Sequence, residues 1–323
     1  MDDTPLRFAS SLDEYLKVVR ELEINRPYYR GQPRTVADGY RLVPSLGRYK
    51  AVQAKGLPAC RKLERDLMDT FRNHIVGQAV YLPANAWELL ALAQHHGLPT
   101  RFMDWTTNPL VALYFAVRRT EGEHDPENGE ERLFDGAVYV LVSEPDRYGD
   151  LVQVVEDRKR RAKLGAFSQQ GLIDRVETAP EEPAPDEDAY ESLLGVDAAA
   201  GETHLRATPE AQSKPSDPLA ANPLEITDDD LADLLTISQK VMYVPPHVST
   251  RIRTQESVLL AFDDPFRELE SHEYLEIKVP ASAHRDIRDE LDRYGMFDKQ
   301  MFPDIDGIAK WLKYRAFEAI RPF

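Results

Sequence analysis

The fold is decided by Leu92–Val117, LAQHHGLPTRFMDWTTNPLVALYFAV, a polar stretch between two apolar helical segments. The pattern predicts a helix over Trp87–His95, which Gly97 and Pro99 bring to an end. A short strand is then predicted over Thr100–Trp105. Polar side chains thereby lie at the ends of buried elements, where a rigid scaffold usually carries binding and catalytic groups.

A second helix is predicted after this strand. The run Thr106–Pro109 offers an N-cap directly before an apolar repeat at helical spacing. That repeat consists of Leu110, Leu113, Tyr114 and Val117.

Composition describes a globular chain. Its 323 residues are 42% hydrophobic, enough for one large core or two ordinary ones. No stretch has the ~20 apolar residues needed to cross a bilayer, and the first residues lack a signal-peptide profile. We therefore expect a cytoplasmic protein without a membrane partner. The single Cys60 excludes an intramolecular disulfide and fits a reducing compartment.

The acidity of the chain is concentrated in one segment. Glu177–Gln239 holds 16 Asp and Glu residues against Arg206 and Lys214, which accounts for nearly all of the net charge of -16. The charge therefore describes this segment and says little about what the remaining surface binds.

The other predicted elements alternate between helices and strands. Helices are predicted over Ser11–Leu22, Leu57–Asn73, Ala281–Tyr294 and Ile305–Ala319, and strands over Tyr28–Gln32, Gly136–Val142, Arg251–Phe262 and Tyr274–Val279. This order predicts an α+β fold with a mixed, mostly antiparallel sheet and flanking helices. A doubly wound dinucleotide fold is disfavoured, because no G-x-G-x-x-G or Walker sequence occurs.

The tripeptide Tyr29-Arg30-Gly31 is the first candidate ligand contact. It places a permanent cation at a strand end, beside a glycine that lets a ligand approach the backbone, and this combination suits a phosphate or pyrophosphate. The alternative is that Arg30 pairs with an interior carboxylate such as Asp104.

The pair His95-His96, with Asp104 eight residues later, resembles a metal-ligand set. Adjacent helical residues point about 100° apart, and no third ligand or H-E-x-x-H pattern accompanies them. We therefore expect no metal, with one histidine capping the helix and the other reaching into a pocket.

Two further positions have structural alternatives. Asp104 could pair with Arg101 or accept hydrogen bonds from a helix N-terminus. Gln255 and Glu256, if they lie on a strand, point to opposite faces, so that only one can face a given pocket. The alternative is that both are ordinary edge residues.

Together these segments resemble the FRG domain, a prokaryotic family named for an F/Y-R-G motif, here Tyr29-Arg30-Gly31. The family's LAQHxGLPTRLLDWTxNPLVALYFA block corresponds to Leu92–Ala116, with Phe102-Met103 in place of two leucines. Its R-I-x-x-Q-x-G-x-F strand corresponds to Arg251–Leu259. Its closing F-P-D-[IL]-D-G-[IL] motif is Phe302–Ile308.

The resemblance implies one FRG-type domain over residues 1–323, interrupted by an insertion at 143–240. The insertion is acidic and poor in large apolar residues around 178–223, and we expect it to be partly mobile there.

A more distant similarity links the motif order to ADP-ribosyltransferases. Their NAD pocket combines an R/H-G strand, an S-T-S-type strand with a following helix, and a late strand carrying Glu or Gln-x-Glu. By this similarity Arg30 would hold the pyrophosphate, Thr106 or Thr107 would brace the nicotinamide ribose, and Gln255 or Glu256 would stabilise the oxocarbenium-like centre. Gln255 occupies the position where that family usually has its glutamate.

The similarity implies an ADP-ribosyltransferase-like core with NAD as the substrate. The predicted catalytic residues are Gln255, Glu256 and Thr106. The predicted nucleotide contacts are Tyr29, Arg30, Gly31, His95, His96, Arg101, Asp104 and Thr107.

Two functions follow as hypotheses. The first is an NAD-consuming ADP-ribosyltransferase or glycohydrolase, acting as a toxin or phage-defence effector on a protein or nucleic-acid target. The second is a non-catalytic module that binds a nucleotide or nucleic acid. The sequence predicts no oligomeric state.

Overall fold

The computed structural model of the chain describes residues 7–78, 82–124, 131–149, 237–246 and 250–319. These residues belong to one compact unit. Most of the predicted insertion at 143–240, including its acidic part at 178–223, lies outside the described residues, so its boundaries stay a prediction.

Strands dominate the centre of the molecule. The described strands are β1 (Arg7–Phe8), β2 (Tyr29–Gln32), β3 (Phe102–Thr106), β4 (Gly122–His124), β5 (Glu131–Leu133), β6 (Gly136–Leu141), β7 (Asp146–Arg147), β8 (Val241–Tyr243), β9 (Ser257–Ala261) and β10 (Tyr274–Val279). Eight of them form one sheet in the order β1-β10-β6-β2-β3-β9-β8-β7, and β4 and β5 form a separate hairpin. The pairs β1–β10 and β7–β8 are parallel, and the other pairs are antiparallel. The predicted α+β class with a mixed, mostly antiparallel sheet is confirmed.

Helices connect and cover these strands. The described α-helices are α1 (Leu12–Arg20), α2 (Lys50–Gln53), α3 (Gly56–Ile75), α4 (Ala86–His95), α5 (Pro109–Val117), α6 (Thr250–Thr254), α7 (His284–Arg293), α8 (Asp298–Met301) and α9 (Ile305–Lys313). Short 3₁₀ turns occur at Leu46–Arg48, Ser271–Glu273 and Ala281–Ala283, and a π-helical turn at Tyr314–Glu318 follows α9. No helix of the described chain is long and apolar enough to cross a membrane.

The predicted helix cap and helix end within Leu92–Val117 are confirmed. The Asn108 side chain caps α5 by accepting a hydrogen bond from the Leu110 amide at 2.9 Å. Gly97 follows α4 with a positive φ of 88°, a backbone conformation that suits glycine. At the start of the chain, the Ser11 side chain caps α1 at the Glu14 amide.

The prediction of a strand over Arg251–Phe262 is wrong in its first half. That part forms the one-turn helix α6, and the strand β9 starts only at Ser257. Between them Glu256 has a φ of 45°, an unusual value for a residue with a side chain, and this residue ends the helical turn.

Three apolar clusters cover the sheet. The first packs α1, α5 and α7 on β2, β6 and β10, and the second packs α3 and α4 on β3, β8 and β9. The third lies on the opposite face, because alternate residues of β3 and β6 belong to it. The helical face of the sheet is thus covered by two separate clusters, and β3 runs close to the boundary between them.

Gly31 sets how closely α5 approaches the sheet. A Cβ atom at this position would lie 1.8 Å from the carbonyl oxygen of Ala112 and 2.8 Å from the amide nitrogen of Ala116. Both atoms belong to the helix backbone, which cannot move aside as a flexible side chain can. The glycine of the Tyr29-Arg30-Gly31 motif is therefore required by packing between β2 and α5.

Gly31→Ala is expected to lower the free energy of unfolding by about 3 kcal/mol, since α5 must move away from β2 to remove the overlap. Gly149→Ala is the matched control, because nothing lies within 4 Å of a Cβ built there. Urea unfolding followed by circular dichroism measures both variants. Equal stabilities for the two would contradict the packing role of Gly31.

Candidate functional site

A cavity of about 250 Å³ opens on the helical face of the sheet, where the first and second clusters meet. Three strands, β2, β3 and β9, form its floor, and α4, α5 and α6 form its walls. Its apolar wall includes Ala91, Val111, Phe115, Ile252 and Leu259. Its polar lining includes Arg30, Gln94, His95, Asp104, Thr106, Arg251, Gln255 and Ser257.

Asp104 presents its carboxylate to the cavity from the middle of β3. Its Oδ1 accepts a hydrogen bond from Nε2 of Gln94 at 2.8 Å. The Gln94 Oε1 accepts in turn from the Thr100 hydroxyl. This chain fixes the orientation of the carboxylate, which has no pairing with Arg101 and is exposed to solvent through the cavity.

His95 lies at the end of α4 on the cavity wall. Burial, helped by the nearby positive charges of Arg251 and His96, lowers the pKa of His95 to about 4, although Asp104 opposes the change. The imidazole is therefore neutral at pH 7 and can donate or accept a hydrogen bond. His96 is exposed and does not line the cavity, and the two rings meet edge to face at 5.0 Å.

Arg251 is a cavity residue that was not among the residues predicted for the site. It lies on α6, and its guanidinium packs over the Phe302 ring at 4.7 Å. Burial lowers its pKa, while Asp104 raises it. Within the described ranges the guanidinium of Arg251 has no hydrogen bond and no ion pair. The signal that could have found it is its helical i, i+4 spacing from Gln255, which places both side chains in the cavity.

Glu256 lies outside the cavity, in contrast to its predicted catalytic role. Its carboxylate accepts hydrogen bonds from the Thr107 hydroxyl at 3.1 Å and from the side-chain amide of Asn108 at 3.0 Å. The turn at its positive φ directs it toward the start of α5. Glu256 and Thr107 therefore hold the turn before α5.

Thr106 and Gln255 line the cavity, but their polar groups are largely used within the protein. The Thr106 hydroxyl donates to the main-chain oxygen of Gln255 at 2.7 Å and accepts from the Asn108 amide at 3.1 Å. The Gln255 side chain donates to the main-chain oxygen of Met301 at 2.9 Å. These bonds join β3, α6 and the segment before Phe302.

Arg30 lies in the cavity floor between two separating strands. β2 and β3 pair only at Tyr29 and Thr106. Beyond that point the main-chain oxygen of Asp104 accepts a hydrogen bond from Nη1 of Arg30 at 2.5 Å. Burial lowers the pKa of Arg30 to about 10, with the Asp104 charge acting in the opposite direction. The alternative in which Arg30 pairs with the Asp104 carboxylate is not found among the described residues, because the bond goes to the main-chain oxygen.

The prediction that Arg101 contacts the ligand does not agree with its position. Its side chain is 0% exposed, and its Nε donates to both carboxylate oxygens of Glu64 at 3.0 and 2.9 Å. Its Nη1 also donates to the main-chain oxygen of Phe262 at 3.2 Å. A buried guanidinium requires such a partner, so Arg101 fastens α3 to the sheet away from the cavity.

The structure therefore unites part of the predicted site. Tyr29, Arg30, Gly31, His95, Asp104, Thr106 and Gln255 line one cavity, whereas His96, Arg101, Thr107 and Glu256 do not. Among the described residues, no group of three or more His, Cys, Asp and Glu side chains could hold a metal ion.

The architecture is that of an α+β protein with a polar-lined cavity at the centre of a mixed sheet. Residues 25–125 match the family model described as the FRG domain, and the chain carries an FRG domain over this region. The match includes β2, α4, β3 and α5, and thus two of the three floor strands and two of the three wall helices of the cavity. No curated protein and no solved structure matches the chain. The similarity to ADP-ribosyltransferases stays a prediction.

Because the pKa of His95 is lowered to about 4, the unfolded chain binds a proton between about pH 6.5 and 4 that the folded chain does not. Stability should therefore fall as the pH decreases through this window. His95→Gln is expected to lose less stability between pH 7 and 4.5 than the wild type in urea unfolding. His74→Gln, a change at an exposed position of α3 outside the cavity, serves as the control and should behave as the wild type. An identical pH dependence for His95→Gln would refute the assignment.

Proposed function

We propose that the cavity of this FRG domain binds a nucleotide, with Arg251 contacting a phosphate. The observation that carries the proposal is the Arg251 guanidinium, which is half-buried, lines the cavity and has no hydrogen bond or ion pair within the described chain. Removing a charge from water is unfavourable unless a partner compensates for it. A phosphate oxygen supplied by a ligand is such a partner, and guanidinium groups bind phosphate through two parallel hydrogen bonds.

The remaining lining fits the other parts of a nucleotide. The side chains of Val111, Phe115 and Ile252 offer an apolar surface to a base or ribose ring. Asp104 and the neutral His95 can accept hydrogen bonds from ribose hydroxyls or from an exocyclic amine. The 250 Å³ volume is slightly below the usual ~300–1,000 Å³ of pockets for drug-sized ligands. A volume of this size favours a mononucleotide over a fully enclosed dinucleotide.

Arg251→Ala is expected to weaken the binding of AMP or ADP by about tenfold or more, which is the effect of losing a charge-assisted hydrogen bond. Isothermal titration calorimetry measures the affinity. Arg253→Ala is the matched control, because Arg253 belongs to the same one-turn helix, is exposed and does not line the cavity. No binding of AMP, ADP, ADP-ribose or NAD to the wild type would refute the proposal.

NAD consumption is a second candidate, and Asp104 is the observation that favours it. Its carboxylate shares the cavity with Arg251 and His95, whereas Glu256 is engaged at the start of α5. When the bond between nicotinamide and ribose breaks, its electron pair leaves with nicotinamide and positive charge develops on the ribose. A fixed carboxylate stabilises that charge, and water can then add to the ribose carbon while His95 accepts its proton.

If the chain consumes NAD, Asp104→Asn should lower the rate of nicotinamide release by about 100-fold or more, the size typical of a lost electrostatic contact. Glu256→Gln should change the rate far less and lower the melting temperature. Chromatography of NAD reaction mixtures, with and without added protein and nucleic-acid acceptors, measures the release. No release by the wild type would eliminate this candidate and leave nucleotide binding intact.

A further inference from the structure

A second concave surface, which we call the basic groove, has a volume of about 450 Å³ and does not share a lining residue with the cavity. It lies where the end of α5 meets α7 and α9. Its six Lys and Arg residues are Arg118, Arg119, Arg285, Arg288, Lys310 and Lys313. Its lining contains two carboxylates, those of Asp298 and Glu318.

The carboxylates compensate only part of this positive charge. Asp298 lies 3.7 Å from Arg118 and 3.3 Å from Arg288. Glu318 lies 3.6 Å from both Arg288 and Lys313.

The remaining positive charges of the basic groove are less compensated. Outside the lining, Glu121 lies 2.7 Å from Arg119. The side chains of Arg285 and Lys310 are exposed and make no hydrogen bond or ion pair with any described residue.

Part of the basic groove is held rigid. The Arg288 guanidinium lies 3.6 Å above the centre of the Tyr314 ring, which fixes it in addition to its two ion pairs. His284 adds no charge, because burial lowers its pKa and its ring binds the Thr120 hydroxyl and the Gly136 amide. The groove thus combines a fixed guanidinium with exposed cations that have no side-chain partner among the described residues.

The charge of the groove is opposite to that of the chain as a whole, which is -16. A concave surface with one sign of charge focuses the field and attracts ions of the other sign. Phosphate groups fit both guanidinium and ammonium groups, and several cations that line one groove match several phosphates in a row.

We propose that the basic groove binds a row of closely spaced phosphates, as found in an oligophosphate or in the backbone of a single-stranded nucleic acid. This site is separate from the nucleotide cavity. A single aromatic ring, Phe302, lies between the two, because Arg251 of the cavity and Arg118 of the groove each lie 4.7 Å from its centre.

The test compares two probes, inorganic tripolyphosphate and a fluorescent single-stranded oligonucleotide, on three proteins. The first is the wild type, the second Arg285→Ala with Lys310→Ala, and the third Lys62→Ala with Arg293→Ala. The third removes the same charge from exposed helical positions outside the groove. Calorimetry follows tripolyphosphate, fluorescence anisotropy follows the oligonucleotide, and thermal melting confirms folding.

The groove variant is expected to bind at least one probe about tenfold or more weakly, with the control close to the wild type. If the oligonucleotide responds, the salt dependence of its affinity should fall by about 1.4 in logarithmic slope for two lost phosphate contacts. A response of tripolyphosphate alone identifies a free oligophosphate, and a response of the oligonucleotide alone identifies nucleic acid. Binding of neither probe, or equal losses in the groove variant and the control, would overturn the proposal.

A further variant distinguishes binding of the probes in the basic groove from binding in the cavity. Arg251→Ala should leave the binding of these probes within about twofold of the wild type if the groove holds them. A loss on Arg251→Ala with no loss in the groove variant would assign the phosphates to the cavity and overturn the groove proposal.

Discussion

The hydrogen bonds around Thr106 hold the centre of this FRG domain together. One hydroxyl joins the main-chain oxygen of Gln255 to the amide of Asn108, and the Glu256 carboxylate binds Thr107 and Asn108 from the other side. The end of β3, the start of α5 and the start of β9 thereby share one network. Buried polar groups in such a network stabilise the fold only if each has a hydrogen-bond partner. The position of each of these residues therefore depends on the positions of the others.

This network also explains where the cavity lies. With Thr106 tied to the Gln255 main chain, α6 must lie beside the middle of the sheet, and α5 must start directly after β3. Gly31 then lets α5 rest against β2, while α4 packs over β3 and β9 from the other side. The two helices cover different strands, and the space between them is the cavity.

Local signals in the sequence predicted the elements that surround this space. Asn108 before an apolar repeat and Gly97 after one are short-range patterns, and each has the predicted geometry. The strand predicted through Gln255 and Glu256 was wrong because the single positive φ at Glu256 changes the periodicity from helical to extended within one residue. The expectation that the Gln255 and Glu256 side chains point to opposite faces depended on a continuous strand, so that argument does not apply to this turn.

The sequence could not predict which side chains pair when they lie far apart along the chain. Asp104 is the partner considered for both Arg30 and Arg101, yet Arg30 binds only its main-chain oxygen, and Arg101 pairs with Glu64 in a helix 37 residues earlier. Spacing along the chain cannot tell which carboxylate will be buried beside which arginine. Arg251 was missed because its segment was predicted as a strand, and because its importance depends on a guanidinium that has no hydrogen bond or ion pair with any described residue.

The charges of the two concave surfaces suit different ligands. In the cavity two guanidinium groups, those of Arg30 and Arg251, and the Asp104 carboxylate face a histidine that burial keeps neutral, so this space has a single excess positive charge and an apolar wall. It suits a ligand that presents a ring and a single anionic group. In the basic groove six cations face two carboxylates, and apolar lining is scarce, which suits several phosphates without a ring to bury. Because Phe302 contacts an arginine of each, a change of its position on binding in one site would alter the environment of the guanidinium in the other.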